Sequence, residues 1–367
     1  MDENELISVL RLQHVPNIGD VTAKKLISYC GSPAAVFADK RQRLLKIDGI
    51  GSYTLSGLYD AQHREAAEAE YEYIEKNQIE YTYFLDARHP EYLKHCSDSP
   101  VLLFQRGNIE LTGRKIISVV GTRQITSYGR AFCEKFIEDI APLNPIIVSG
   151  FAYGVDITVQ RAAVKHGLQT IGCLAHGLNQ IYPKAHAKYI RDVEKNGGFY
   201  TEFWSTSQPE REHFLKRNRI IAGMSEATVV VESAERGGSL VTADIANSYD
   251  RDVFAVPGRT HDKYSVGCNN LIKRHRAHMM TSAADLVYLL NWDVEEKKNQ
   301  NAQQQLFVGL DDTERAIHDY LLRDGKQLLD TIALECRLPV FKVSSTLLNM
   351  EIKGVVRPLP GKMFEAV

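Results

Sequence analysis

Six short apolar runs recur through the middle of the chain: residues 115–120 (KIISVV), 145–149 (PIIVS), 170–174 (TIGCL), 198–201 (GFYT), 227–231 (ATVVV) and 252–256 (DVFAV). Their near-continuous apolar character suits strands covered on both faces, as in a parallel sheet. Helix-like segments such as 154–166 and 239–249 stand between them. Strands alternating with helices build right-handed βαβ units. The expected fold is therefore α/β, an extended Rossmann-like core on a parallel sheet, with ligands at the carboxyl ends of the strands.

A chain of 367 residues suits two or three domains rather than one core. Residues 1–75 read as short helices joined by glycine turns, and 80–290 as the Rossmann-like core. The polar stretch 291–305 offers almost nothing to bury and reads as a flexible linker. Residues 306–367 read as three helices and a short hairpin, which resembles a winged-helix domain. The turns HVPNIG (14–19) and KIDGIG (46–51) resemble tandem helix-hairpin-helix elements, whose amides can accept a DNA phosphate without reading sequence.

Charge limits the choice of partner. The 44 Lys and Arg against 46 Asp and Glu leave a formal net charge of -2, so no global basic field exists and any anion site must be a local cluster. The C-terminal block has eight basic and nine acidic residues, a net of -1, which argues for a protein-contact or regulatory role over strong duplex binding. The six cysteines are scattered without a C-x-x-C pair, which points to reduced thiols in a cytoplasmic protein and to no metal site. No run approaches the roughly 18 apolar residues of a membrane span.

Three strand ends run into glycine turns: Gly121-Thr122-Arg123, Gly150 to Gly154, and Gly237-Gly238-Ser239 leading to Thr242. Glycine lets backbone amides approach an anion, and the following helix N-terminus adds partial positive charge. Three such turns on one sheet point to a phosphate-binding surface. No dinucleotide fingerprint and no P-loop occur, so no nucleotide cofactor is expected. The run 211–219 (REHFLKRNR) places Arg211, Lys216, Arg217 and Arg219 against Glu212, a local +3, with His213 and Phe214 as rings able to stack on unpaired bases. Lys184 and His186 follow the 170–174 strand and add a weaker candidate.

Together these segments resemble the DNA-processing protein A (DprA/Smf) family. The carrying residues are Gly121-Thr-Arg123 with Ser127-Tyr-Gly129, Ser149-Gly150-x3-Gly154-x-Asp156, and Gly177-Leu-x2-Ile-Tyr-Pro183. Glu202-Phe203, His213-Phe-x2-Arg-Asn-Arg-Ile-Ile-Ala-Gly223, Gly237-Gly-Ser-Leu-x-Thr-Ala243, Phe254-Ala-Val-Pro-Gly258 and Gly267-Cys-Asn-x-Leu-Ile272 complete the set. Two departures stand out: His176 precedes Gly177 where a small residue is usual, and Phe151-Ala-Tyr153 replaces Leu-Ala-Arg. The resemblance implies a cytoplasmic, non-catalytic homodimer that binds single-stranded DNA, protects incoming strands and loads the RecA recombinase in natural transformation. It implies further that Arg123 and Arg217-Asn218-Arg219 line the DNA pocket, with Gly150, Phe214, Gly238 and Ser239 beside them. A second reading is enzymatic. The Gly-Gly-Ser-Leu-x-Thr turn also resembles the loop of Rossmann-like nucleoside-monophosphate phosphoribohydrolases, but Asp244 stands where those carry glutamate.

Overall fold

The computed structural model describes residues 1–292, 310–359 and 361–366. It divides into two compact units, Met1–Asp293 and Val294–Val367. All but the first two residues of the expected linker at 291–305 lie outside the described residues.

Among the described residues of the first unit, nine strands form one sheet. They are β1 (Glu80–Tyr83), β2 (Leu102–Gly107), β3 (Ile116–Val120), β4 (Ile146–Ser149), β5 (Thr170–Cys173), β6 (Gly197–Thr201), β7 (Ala227–Val230), β8 (Asp252–Ala255) and β9 (His278–Met279). Their order across the sheet is β1-β2-β6-β5-β4-β3-β7-β8-β9. Strands β3 to β9 pair in parallel, while β2 joins β6 and β1 joins β2 antiparallel. All six apolar runs are strands, each within one residue of its expected bounds.

Both faces of the parallel part are buried, and strand alternation divides the runs between two cores. Ile117, Val119 and Ile147 point into a cluster with Phe136, Ile137 and Val159, from helices Ser127–Ile140 and Val155–Lys165. Ile116, Val120, Ile146 and Val148 point the other way, into a cluster with Ile220, Ile221 and Ala243, from helices Arg211–Gly223 and Gly238–Ser248. Each such side chain contributes roughly 1.5–3 kcal/mol on burial. Ser118, fully buried within β3, is satisfied by Thr228 Oγ1 at 2.7 Å on β7.

The N-terminal helices are not independent of this sheet. Leu6, Leu10 and Leu26, from helices Glu3–His14 and Asp20–Cys30, share one core with Leu102, Phe104, Phe151 and Phe199. The first glycine turn does join two helices, with Asn17 at φ +66° and Gly19 as N-cap. The expected second copy is corrected: residues 52–59 form successive turns, not a helix. Gly57, at φ +76°, sits where a helix would have to continue.

The second unit packs helices Asp312–Asp324, Leu329–Glu335 and Val340–Ile352 around Ile317, Leu321, Ile332, Val343 and Leu347. Strands β10 (Gln327–Leu328), β11 (Val356–Leu359) and β12 (Met363–Ala366) form an antiparallel sheet in the order β10-β12-β11. Asp311 and Glu314 close a reciprocal capping box on the first helix. This is the three-helix and hairpin order read from the sequence, with β10 added. The six cysteines are free thiols. No helix among the described residues is long and apolar enough to cross a membrane.

Candidate functional site

The chain runs from β3 outward through β4, β5 and β6 on one side, then returns to place β7 against the other side of β3. The segments leaving β3 and β7 therefore diverge to opposite faces: Ser127–Ile140 packs in one core and Gly238–Ser248 in the other. A crevice opens between them at the carboxyl ends, the place where open α/β sheets hold ligands. Here it is a cavity of about 570 Å³.

The crevice gathers most of the residues singled out in the sequence. Arg123, Arg211, Phe214, Arg217, Asn218, Gly237, Gly238, Ser239 and Thr242 all line it. Phe214 is its centre: the Arg123 guanidinium lies 5.1 Å from the ring centroid, that of Arg217 5.9 Å, and Tyr182 packs against it at 5.6 Å. Arg123 and Arg211 are exposed at the rim. Opposite them, helix Gly238–Ser248 begins without a side-chain cap, so its dipole meets the cavity through bare backbone. A Cβ at Gly238 would meet nothing within 4 Å. The fold does not require glycine there, and a side chain would occupy the crevice.

The floor is built by Arg217, which is only 4% exposed. Its Nη1 donates to the Gly150 carbonyl at 2.8 Å and also to that of Cys173, tying the ends of β4 and β5 together. Asp156 lies beside it, accepting from the Ala152 amide at 3.3 Å. Burial pushes the Asp156 carboxyl up from the usual range, and Arg217 and the Ala152 amide pull it back. A Cβ on Gly150 would stand 2.5 Å from Asp156 Oδ2 and 2.7 Å from the Arg217 guanidinium, so the pair needs glycine there. Gly154, at φ +78°, brings the next helix start against the Thr122 carbonyl, which accepts from Val155 N at 3.1 Å.

Five expected site residues lie elsewhere, and helical geometry accounts for three of them. In helix Arg211–Gly223, Phe214, Arg217 and Asn218 share the stripe that faces the crevice, while His213, Lys216 and Arg219 fall on another. Arg219 is 7% exposed and bonds Asp20 Oδ2 at 2.9 Å and Glu202; Lys216 Nζ is 2.8 Å from Glu202. Asp20 also accepts from Val101 N at 2.9 Å. This cluster clamps the first helical hairpin to the core. His213 packs against Phe203 with tilted rings, centroids 4.3 Å apart, and, with Lys216, lines a smaller cavity of about 280 Å³ that also takes in Gly19 and Asp20. The hairpin thus sets an exposed Gly19 at the edge of this smaller cavity, away from the crevice. Lys184 is exposed outside the crevice, and His186 is buried beside Phe151 and Tyr153, its Nδ1 2.9 Å from the Phe151 carbonyl.

Two supports escaped the sequence reading. Glu232, buried after β7, accepts from both Thr126 N at 2.9 Å and Thr126 Oγ1, and Thr126 in turn caps the Gly129 amide. Ser233 lines the crevice and accepts from Ser239 Oγ at 3.0 Å. A carboxylate and a hydroxyl directly after an apolar strand were the available signals.

A doubly wound sheet, with cations, an aromatic ring and an uncapped helix start meeting at its switch point, defines a Rossmann-type fold whose crevice has the chemistry to accept an anion. The family signature described as DNA recombination-mediator protein A matches residues 80–291, and that of the DprA winged helix domain matches 301–362. The chain is 37% identical over 203 residues to DNA processing protein DprA of Streptococcus pneumoniae, covering 55% of this chain and 71% of that one. It is 26% identical to Protein Smf of Synechocystis over 400 aligned positions, spanning both chains fully. The solved structure of the Streptococcus pneumoniae protein superposes with a TM-score of 0.68 at 30% identity, over 78% of this chain and 98% of that one. The Helicobacter pylori protein, solved for its single-stranded DNA binding mode, superposes with a TM-score of 0.52 at 26% identity, over 58% and 96%. The chain belongs to the DNA-processing protein A (DprA/Smf) family, and its second unit is the family's winged-helix domain.

Proposed function

We propose that the crevice binds single-stranded DNA without reading its sequence, and that the protein is a binding protein rather than an enzyme. The observation that carries this is the convergence of Arg123 and Arg217 on the face of Phe214, opposite the Gly237-Gly238 helix start. Non-specific single-strand binding needs cations and amides for phosphates and a ring for bases. The phosphoribohydrolase reading lacks support: Asp244 pairs with Arg276 at 3.1 Å and does not line the crevice. Family membership supports the finer reading of a cytoplasmic homodimer that protects incoming strands and loads RecA in transformation. The winged-helix unit would serve protein contacts, a role suited to its net charge and to Phe341, 78% exposed on helix Val340–Ile352.

The test is a titration of labelled oligothymidylate across a salt series. Arg123→Gln should lower the log–log salt slope by about 0.7, one phosphate contact. An unchanged slope and affinity would remove the crevice from consideration. Deleting 306–367 should leave that affinity intact while reducing RecA filament nucleation on a coated strand.

A further inference from the structure

A second, open groove of about 840 Å³ lies on the far side of the 232–234 segment, at the carboxyl ends of β7 and β8. The two grooves share a wall: Ser233 and Ala234 line the first, and Glu232 the second. The wall is pinned. Ser233 N donates to the Tyr264 carbonyl at 2.7 Å, and Gly267 N to the Ser233 carbonyl at 2.9 Å. Tyr264 OH bonds the side chain of Gln124, the neighbour of Arg123, and Tyr128 OH donates to the Pro257 carbonyl at 2.9 Å. The bridge between the grooves therefore starts beside the rim cation of the first.

The second groove repeats the chemistry of the first. Arg259 and Lys263 are exposed along it and form no ion pair among the described residues. Lys263 Nζ lies 5.4 Å over the Tyr264 ring, and Tyr128 is 51% exposed. Glu232 is buried with both carboxylate oxygens engaged by Thr126, which leaves Asp262 as the exposed carboxylate against two cations. We propose that a single strand held in the first groove continues across the Gln124–Tyr264 bridge into the second. There Arg259 and Lys263 take phosphates, and Tyr128 and Tyr264 take bases. The inference rests on the reading of the first groove as a single-strand site. Successive bases on separate rings, with cations beside them, are how such proteins extend a site without sequence preference.

The experiment compares oligothymidylates of about 6 and about 16 nucleotides on the full-length protein. Wild type should bind the longer one more tightly and with a steeper salt slope. The double variant Arg259→Gln, Lys263→Gln should lower the slope for the long oligonucleotide by about 1.4 and leave the short one unchanged. An iodouridine-substituted long oligonucleotide should crosslink to Tyr264, and a short one should not. Equal loss at both lengths, no loss at either, or absence of the crosslink overturns the extended path. Arg123→Gln, by contrast, should weaken both lengths. A wild-type protein that binds neither would refute the first reading, an outcome separate from failure of the second groove alone.

Discussion

Arg217→Ala separates a cation that holds the crevice together from one that only touches its ligand. The guanidinium is buried, bonds two strand-end carbonyls, and is the principal opposing charge for the buried Asp156. Truncation leaves the Gly150 and Cys173 carbonyls without that donor and Asp156 without its counter-charge. Each orphaned buried polar group costs about 1–3 kcal/mol, and removing one partner of a buried charge pair about 3–5 kcal/mol in all. These overlap, so the expected loss is about 3–5 kcal/mol. Urea unfolding followed by tryptophan fluorescence measures it, because the chain's two tryptophans, Trp204 and Trp292, both lie in the first unit. Arg217→Lys should recover only part of the loss, since a compact, strongly hydrated ammonium on a different stem does not reproduce the placement of the Nη1 that donates to both carbonyls. Arg123→Ala, at an exposed position, should stay within about 0.5 kcal/mol of wild type. If Arg217→Ala unfolds with the wild-type midpoint and slope, the guanidinium does not brace the floor and the division of roles drawn here is wrong.

Gly238→Ala should fold as stably as wild type, because the added methyl meets open space, yet weaken oligonucleotide binding by crowding the approach of a phosphate; unfolding and titration of the same sample check both halves. Asp20→Asn keeps an acceptor for Val101 N but removes charge from Arg219. It should destabilise the first unit by about 1–3 kcal/mol and speed amide exchange in residues 3–30 without altering the salt slope of DNA binding. Stability should also fall with acid through His89. Burial pushes its pKa down to about 4, with Lys24 and Lys94 adding repulsion, while Nδ1 sits 3.1 Å from Thr82 Oγ1 and Nε2 has no hydrogen-bond partner among the described residues. The unfolded chain takes up this proton near pH 6.5 and the folded one resists it. The contribution is therefore complete above pH 6.5 and is lost as pH falls toward 4, about 3 kcal/mol in total. His89→Gln should flatten that part of the urea-midpoint profile.

The parallel strands were legible because burial on both faces writes itself into sequence as unbroken apolar runs. β2 (Leu102–Gly107) has only the short run 101–104 before it turns polar, the four-residue β1 has none, and their antiparallel pairing depends on partners distant in sequence. The site was half legible for a related reason. Glycine turns after apolar strands announced a crevice, but the cations of 211–219 read as one patch. Helical periodicity would have sorted Phe214 and Arg217 from His213 and Lys216, without telling which stripe meets the crevice. That choice depends on β7 lying against β3, and on Asp20 reaching Arg219 across 199 residues of sequence. Two stripes of one helix thus carry different work. Charge on the crevice stripe, from Arg211 and Arg217, lines the cavity, and charge on the other is neutralised by Asp20 and Glu202. A substitution at Lys216 or Arg219 that lowered DNA affinity would therefore act through the position of the helix. Its signature is a change in affinity with the salt slope intact, whereas loss of a phosphate contact at Arg123 lowers both.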